Sequence, residues 1–233
     1  MAILKRSFPL TNKIFFQEIS QAQGGYLEKI QGTSRYGYET KPAFSTQYDF
    51  FEDFQSREQV PGNSLDIFDF DTLTWILRKE AQANIFYSSA YFFKGLLAFF
   101  CLDLGSFQAS VYHLDPESGQ EKEVCRLDLG KDLKLFYGLL GPDLTFYALE
   151  DREEGQFFHL FYPFKSSFSL KDNESLEYFD GEFFYGSAWH EEELEGLDYR
   201  YYNHFQVRDK TGQVIFEKLG TPYLSPKGDY ILL

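Results

Sequence analysis

The sequence predicts an all-β protein: a ring of five small four-stranded antiparallel sheets, sealed by pairing the first strands of the chain with the last. Three observations predict it. Aromatic residues dominate the large apolar side chains, with 27 Phe and 17 Tyr against one Met in 233 residues, and aromatic side chains favour pleated, half-buried surfaces. Apolar and polar residues alternate in short runs broken by Gly, Pro, Asp and Asn. The hairpins defined this way recur at a constant step along the chain, as in repeated sheet architectures.

The clearest hairpin is "SVYHLDPESGQEKEVCRL" (110–127), which alternates up to Asp115, turns through "DPESG" and alternates again. "SLDIFDFDTLTWILRKE" (64–80) has the same design around Asp69–Thr72, and "HFQVRDKTGQVIFEKLG" (204–220) has it around Asp209–Gly212. The three Asp residues precede their turns at steps of 46 and 94 residues, one and two multiples of a period of about 47. A further copy is therefore expected near residue 162, where "FFHLFYPFKSSFSL" (157–170) turns around Tyr162–Ser166 without the Asp.

A second hairpin precedes or follows each of these. "YFFKGLLAFF" turns at Lys94-Gly95, "LFYGLLGPDLTFYAL" around Gly141-Pro142-Asp143, "LEYFDGEFFYG" at Asp180-Gly181 and "PYLSPKGDYILL" at Lys227-Gly228. Asp-Gly suits a two-residue turn in which both central residues have positive φ. Each unit then holds four short strands. The last unit has only two, and "AILKRSFPLTNKIFFQEI" (2–19), turning at Pro9–Asn12, is expected to complete it and remove both free sheet edges. The unit within 20–80 is longer than the others, and its insertion is expected in "QGTSRYGYETKPAFSTQ" (31–47).

The four-strand units and the "LSPKGDYILL" ending resemble those of β-propeller repeat proteins over most of the chain. The resemblance implies one domain across residues 1–233, a five-bladed β-propeller with four-stranded antiparallel blades. Neither a repeated Trp-Asp dipeptide nor a kelch double-glycine repeat occurs, so no one family follows. Faces of neighbouring blades need large side chains between them. Phe92, Phe93, Phe99, Phe100, Phe136, Phe146, Phe157, Phe183 and Phe184 are the expected core, each contributing about 1.5–3 kcal/mol if fully buried.

Charge narrows the function classes. The formal net charge is −14, and Asp172 to Tyr199 holds ten carboxylates and no Lys or Arg. Such a field repels nucleic acid and anionic lipid and attracts basic surfaces. The most apolar stretch, "IFYSSAYFFKGLLAFFCL" (85–102), carries Lys94 at its centre and reads as two strands rather than a membrane span. The start, "MAILKRSFPLTNK", lacks the apolar core of a secretory signal, so a cytoplasmic protein is expected, with Cys101 and Cys125 as buried, reduced thiols.

Chemical motifs are scarce. His113, His159, His190 and His204 show no ligand spacing along the chain, and no HExxH, GxSxG or Gly-rich phosphate loop occurs. No metal, cofactor or catalytic residue is expected. Carboxylates are the one abundant resource, with Asp143, Asp180 and Glu182 near inner turns, and paired carboxylates are what glycosidases use. Asp at a turn is first a turn residue.

The candidate binding element is "SAWHEEELEGLDYRYYNHF" (187–205), which lengthens the fourth unit. It reads as an inserted acidic loop carrying Trp189, Glu191, Glu192, Glu193, Glu195, Asp198, Tyr199, Tyr201 and Tyr202. Aromatic anchors and steering carboxylates are the make-up of an interface. The expected function is non-enzymatic binding of a basic protein partner, as an immunity or inhibitor protein or an assembly scaffold. The alternative is a carbohydrate-binding propeller or a glycoside hydrolase. The repeated Asp69, Asp115 and Asp209 would mark equivalent sugar sites.

Overall fold

The computed structural model describes residues 27–41, 47–57, 59–130, 133, 135–140, 144–153, 155–193, 199–224 and 230–232. The first sheet runs β1 (Glu28–Lys29), β2 (Tyr36–Lys41), β3 (Ser64–Asp69) and β4 (Thr74–Lys79), with helix α1 (Gln47–Arg57) between β2 and β3. The second holds β5 (Ile85–Tyr87), β6 (Tyr91–Phe93), β7 (Leu96–Asp103), β8 (Gln108–Asp115) and β9 (Gln120–Asp128). β5 and β6 pair with the two halves of β7, so they act as one edge strand broken at residues 88–90. The third runs β10 (Leu135–Leu140), β11 (Thr145–Arg152), β12 (Gly155–Tyr162) and β13 (Ser166–Leu170). The fourth runs β14 (Glu174–Phe179), β15 (Phe184–Glu193), β16 (Tyr199–Arg208) and β17 (Val214–Leu219). A two-stranded pair, β18 (Pro222–Leu224) and β19 (Tyr230–Leu232), follows. Pairing is antiparallel throughout, and each sheet follows chain order, giving an all-β, propeller-like array.

The repeated hairpins are the third and fourth strands of their sheets, joined at Asp69, Asp115, residues 163–165 and Asp209–Gln213. The Asp carboxylates are turn acceptors. Asp69 Oδ1 accepts from the N–H groups of Asp71 and Thr72, Asp115 Oδ1 from Glu117 N–H, and Asp209 Oδ1 from the N–H groups of Thr211 and Gln213. Each thereby satisfies backbone donors that the turn takes out of the ladder. Lys94 and Gly95 both have positive φ, as the β6–β7 turn demands. The Asp180-Gly181 turn differs from expectation. It is a four-residue connection in which only Gly181 has positive φ, because Asp180 Oδ1 draws in the N–H groups of Glu182 and Phe183.

Alternate residues of each inner strand face opposite neighbours. Leu97 and Phe99 pack with Leu65 and Ile67 of the first sheet, while Ala98, Phe100 and Leu102 pack with Leu139, Phe146 and Ala148 of the third. Phe158, Leu160 and Phe168 of the third sheet meet Phe179 and Phe184 of the fourth. Of the expected core, Phe99, Phe100, Phe146 and Phe184 are buried, and Phe92, Phe93, Phe157 and Phe183 are half-buried. Phe136 is 49% exposed, sitting at the end of β10 away from Leu140, the residue of its face that reaches the core. On β12 it is Phe158, one step from Phe157, that turns fully inward.

The insertion falls later than expected. Residues 31–41 form the β1–β2 turn and β2, and the extra chain is the α1 segment before β3. Phe50, Phe51 and Phe54 of α1 pack into the core between the second and third sheets, and Gln47 Oε1 accepts from Tyr137 N–H at 2.8 Å. Ion pairs also join the first two sheets: Arg35, bound to Asp69 of its own sheet at 2.8 Å, reaches Glu117 of the second at 2.6 Å, and Lys79 binds Glu121 at 2.7 Å. Burial would push the Asp69 carboxyl up, but Arg35 and the two turn N–H groups hold it below the usual carboxylate range.

The 85–102 stretch is β5, β6 and most of β7, and no helix among the described residues is long and apolar enough to cross a membrane. The expected closing strands at 2–19 lie outside the described residues, as do Asp143, Glu195 and Asp198.

Candidate functional site

The 187–205 segment is not a loop inserted between hairpins. Its described parts, residues 187–193 and 199–205, are the far half of the β15–β16 hairpin, whose two strands are ten residues each. Its flanking strands stop early: β14 pairs no further than Ala188, and β17 no further than His204. Asn173 and Gly220 extend each flank by one step, through Trp189 N–H to Asn173 O and Gly220 N–H to Asn203 O. The four pairs from His190↔Tyr202 to Glu193↔Tyr199 therefore project as a two-stranded ribbon. Near its root, Gly186 is required: a Cβ there would lie 2.0 Å from Ser175 O, so only glycine lets β14 approach.

Period-two alternation sorts the ribbon into two faces. Trp189, Glu191, Glu193, Tyr199 and Tyr201 share one. Trp189 stacks on Tyr201 at 5.7 Å and 17°, and Tyr201 on Tyr199 at 6.4 Å and 22°. All three rings are exposed, at 46%, 58% and 46% respectively for Trp189, Tyr201 and Tyr199. Glu191 is directly opposite Tyr201, and Glu193 opposite Tyr199, so each Tyr has a carboxylate beside it. The aromatic surface continues into the body of the sheet through Tyr178, Tyr185, Phe205 and Phe216, at successive ring spacings of 5.4, 6.2 and 6.4 Å. That is the face opposite Phe179 and Phe184, hence the side turned away from the third sheet.

The other face holds His190, Glu192, Arg200, Tyr202 and His204. His190 stacks on Tyr202 at 5.3 Å, and its ring lies 4.8 Å from that of His204. His204 Nδ1 is 3.1 Å from Glu217 Oε1, and Gln206 Nε2 donates to Glu217 Oε2 at 2.7 Å. The Gln206 amide is the main reason the Glu217 carboxyl lies below the usual range; burial opposes it and His204 adds to it. Glu192 and Tyr202 thus lie on the face away from Trp189, and the seven described residues of the nine expected do not form one surface. The histidine cluster was missed because each histidine was weighed by its spacing along the chain. Strand parity carries the signal, since His190, Tyr202 and His204 are all even-numbered about one hairpin.

Of the other carboxylate candidates, Asp180 is structural. Asp180 accepts from two backbone N–H groups and from Tyr185 O–H, and these outweigh burial to keep it below the usual range. Such a carboxylate is already committed to its turn. Glu150, His159 and Ser167 line up across β11, β12 and β13, with His159 Nε2 3.2 Å from Glu150 and Nδ1 3.3 Å from Ser167 Oγ. They are register neighbours on adjoining strands, and Arg152 also binds Glu150, at 2.7 Å. Cys101 and Cys125 are free and half-buried, and burial pushes the Cys101 thiol up to about 12. Among the described residues no group of three or more His, Cys, Asp or Glu is arranged to hold a metal.

No known family model matches the chain, and no curated protein matches it in sequence. Among solved structures it is similar to the crystal structure of Porphyromonas gingivalis dipeptidyl peptidase 4, with 10% identity and a TM-score of 0.40. The match covers 88% of this chain and 33% of that one, so the chain spans about a third of that protein's length.

Proposed function

We propose that the protein is a non-enzymatic binding protein, a five-bladed propeller closed by its terminal strands, that docks a basic protein partner on the β15–β16 ribbon. One observation carries the reading: an exposed Trp189–Tyr201–Tyr199 stack with Glu191 and Glu193 interleaved on the same face. Rigid aromatic rings supply affinity at small entropic cost, and the carboxylates accelerate encounter with a positively charged surface. Arg200 is the sole basic residue among the described residues of the ribbon, so its field is negative.

The test is affinity capture from a cell extract with the wild-type protein and a Trp189→Ala/Tyr201→Ala variant. The expected result is retention of a protein with an excess of Lys and Arg, lost with the variant and weakening as salt rises. Losing one aromatic anchor should cost about 2 kcal/mol, or roughly thirtyfold in affinity. Equal capture by the variant, or binding indifferent to ionic strength, overturns the reading. The same flat aromatic stack suits a sugar ring, and a glycan array separates this second reading: glycan binding lost with the double variant would replace the protein partner.

A further inference from the structure

We infer that the outer edge of β15, at Glu191–Glu193, takes an extended segment of consecutive Lys and Arg residues from the partner protein as an added strand. This rests on the reading that the ribbon meets a basic partner, and it names how that partner binds. Trp189 N–H donates to Asn173 O at 2.7 Å, and Asn173 Nδ2 donates to Trp189 O at 2.7 Å, so Trp189 turns its backbone groups toward the β14 side. Alternate residues of a strand direct N–H and C=O to the same side, so Glu191 and Glu193 direct theirs to this edge. β14 does not reach them: the chain turns off at Lys171–Glu174, where Glu174 N–H donates to Lys171 O at 2.9 Å. A row of backbone donors and acceptors with no strand beside it is a template for pairing.

The side chains select what pairs. A residue added opposite Glu191 or Glu193 shares the Trp189 face, and one added opposite Glu192 shares the His190 face. Carboxylates therefore border the added strand on both faces. A segment with a base at every position is matched on both, whereas an alternating one is matched on one. Among the described residues none of these three carboxylates is ion-paired, and Arg200, opposite Glu192, lies over the Tyr202 ring at 5.7 Å. Like charges at neighbouring positions of one strand repel, and incoming cations relieve that repulsion. The same charges exclude a second copy of this chain, whose edge is equally acidic. The other edge of the ribbon, on β16, carries Arg200 between Tyr199 and Tyr201 and offers no such match.

Fluorescence anisotropy with a short labelled peptide of consecutive Lys and Arg residues, added to the full-length protein, tests the inference. Wild-type protein should bind it. The fully N-methylated peptide keeps the charges but loses its backbone donors to the Glu191 and Glu193 carbonyls, and should bind about tenfold more weakly or worse. Glu191→Lys and Glu192→Lys should each weaken binding about tenfold, by a lost attraction and a gained repulsion, with circular dichroism unchanged. Glu192 is the discriminating position, because it faces away from Trp189 and a partner lying on the aromatic face alone would feel its reversal far less than that of Glu191. No binding by the wild type, equal binding of the methylated peptide, or a Glu192→Lys effect well below that of Glu191→Lys overturns the added strand. Capture of a basic protein that is still lost with the Trp189→Ala/Tyr201→Ala variant would then leave the docking surface standing, and capture that the double variant retains removes that reading as well.

Discussion

Replacing Phe158 with Ala tests the face-to-face packing of the third and fourth sheets, the arrangement that aims the ribbon. Phe158 is fully buried, and its ring lies 5.3 Å from Tyr147, 5.0 Å from Phe168 and 5.6 Å from Phe184. Truncation removes the transfer free energy of a whole aromatic side chain and leaves a cavity walled by those rings, which the strands hold apart. Phe→Ala at such a site costs about 3–5 kcal/mol. In a chain of this size about 2–4 °C of melting temperature accompanies each kcal/mol, so the variant should melt about 6–20 °C below wild type. Phe136→Ala is the internal control. That residue is expected to be core from sequence but is 49% exposed, and its loss should change stability by about 0.5 kcal/mol or less. Urea unfolding followed by circular dichroism, with the slope compared across variants, checks that both report on the native state. Equal costs at the two positions, or a Phe158 cost below about 1 kcal/mol, would refute the face assignment.

Four other outcomes are expected. Asp69 has a lowered carboxyl pKa, so its contribution is present above the unfolded value of about 3.9 and is lost as pH falls through the lower folded value. Wild-type melting temperature should therefore drop below pH about 4, and Asp69→Asn should flatten that limb in a pH series of thermal melts. Cys101, with its thiol pushed up to about 12 by burial, should resist iodoacetamide at pH 8 until denaturant is added, as peptide mass mapping will show. Trp189→Ala and Tyr201→Ala should leave the melting temperature within about 2 °C of wild type, because their rings are exposed. Gly186→Ala should destabilise strongly in the same melts, since its Cβ would collide with the Ser175 carbonyl.

Much of the architecture was legible because its causes are local. Alternation in 64–80, 110–127, 157–170 and 204–220 reports which side chains face which sheet, and the Asp turns report where strands reverse. Long-range geometry was not legible. Nothing in "QYDFFEDFQSR" announces that Phe50 and Phe51 fill a gap between two other sheets, since a helix carries no record of its distant neighbour. "SAWHEEE" looked like a loop because its charges conceal the strand period: three consecutive Glu place acids on both faces. A strand that protrudes from its sheet has no buried side, so the apolar alternation that betrays ordinary strands is missing there.

Helix α1 has a consequence for how this array can be cut or extended. In a simple tandem array each module touches only the modules beside it, so modules can be added or removed at the seams. Here a segment that branches from the first sheet reaches the backbone of Tyr137 in the third, past the second. Excising the leading module would also strip a plug from a seam two places along. Grafting, permuting or trimming this chain at its module boundaries will therefore fail unless residues 47–57 travel with the second and third sheets.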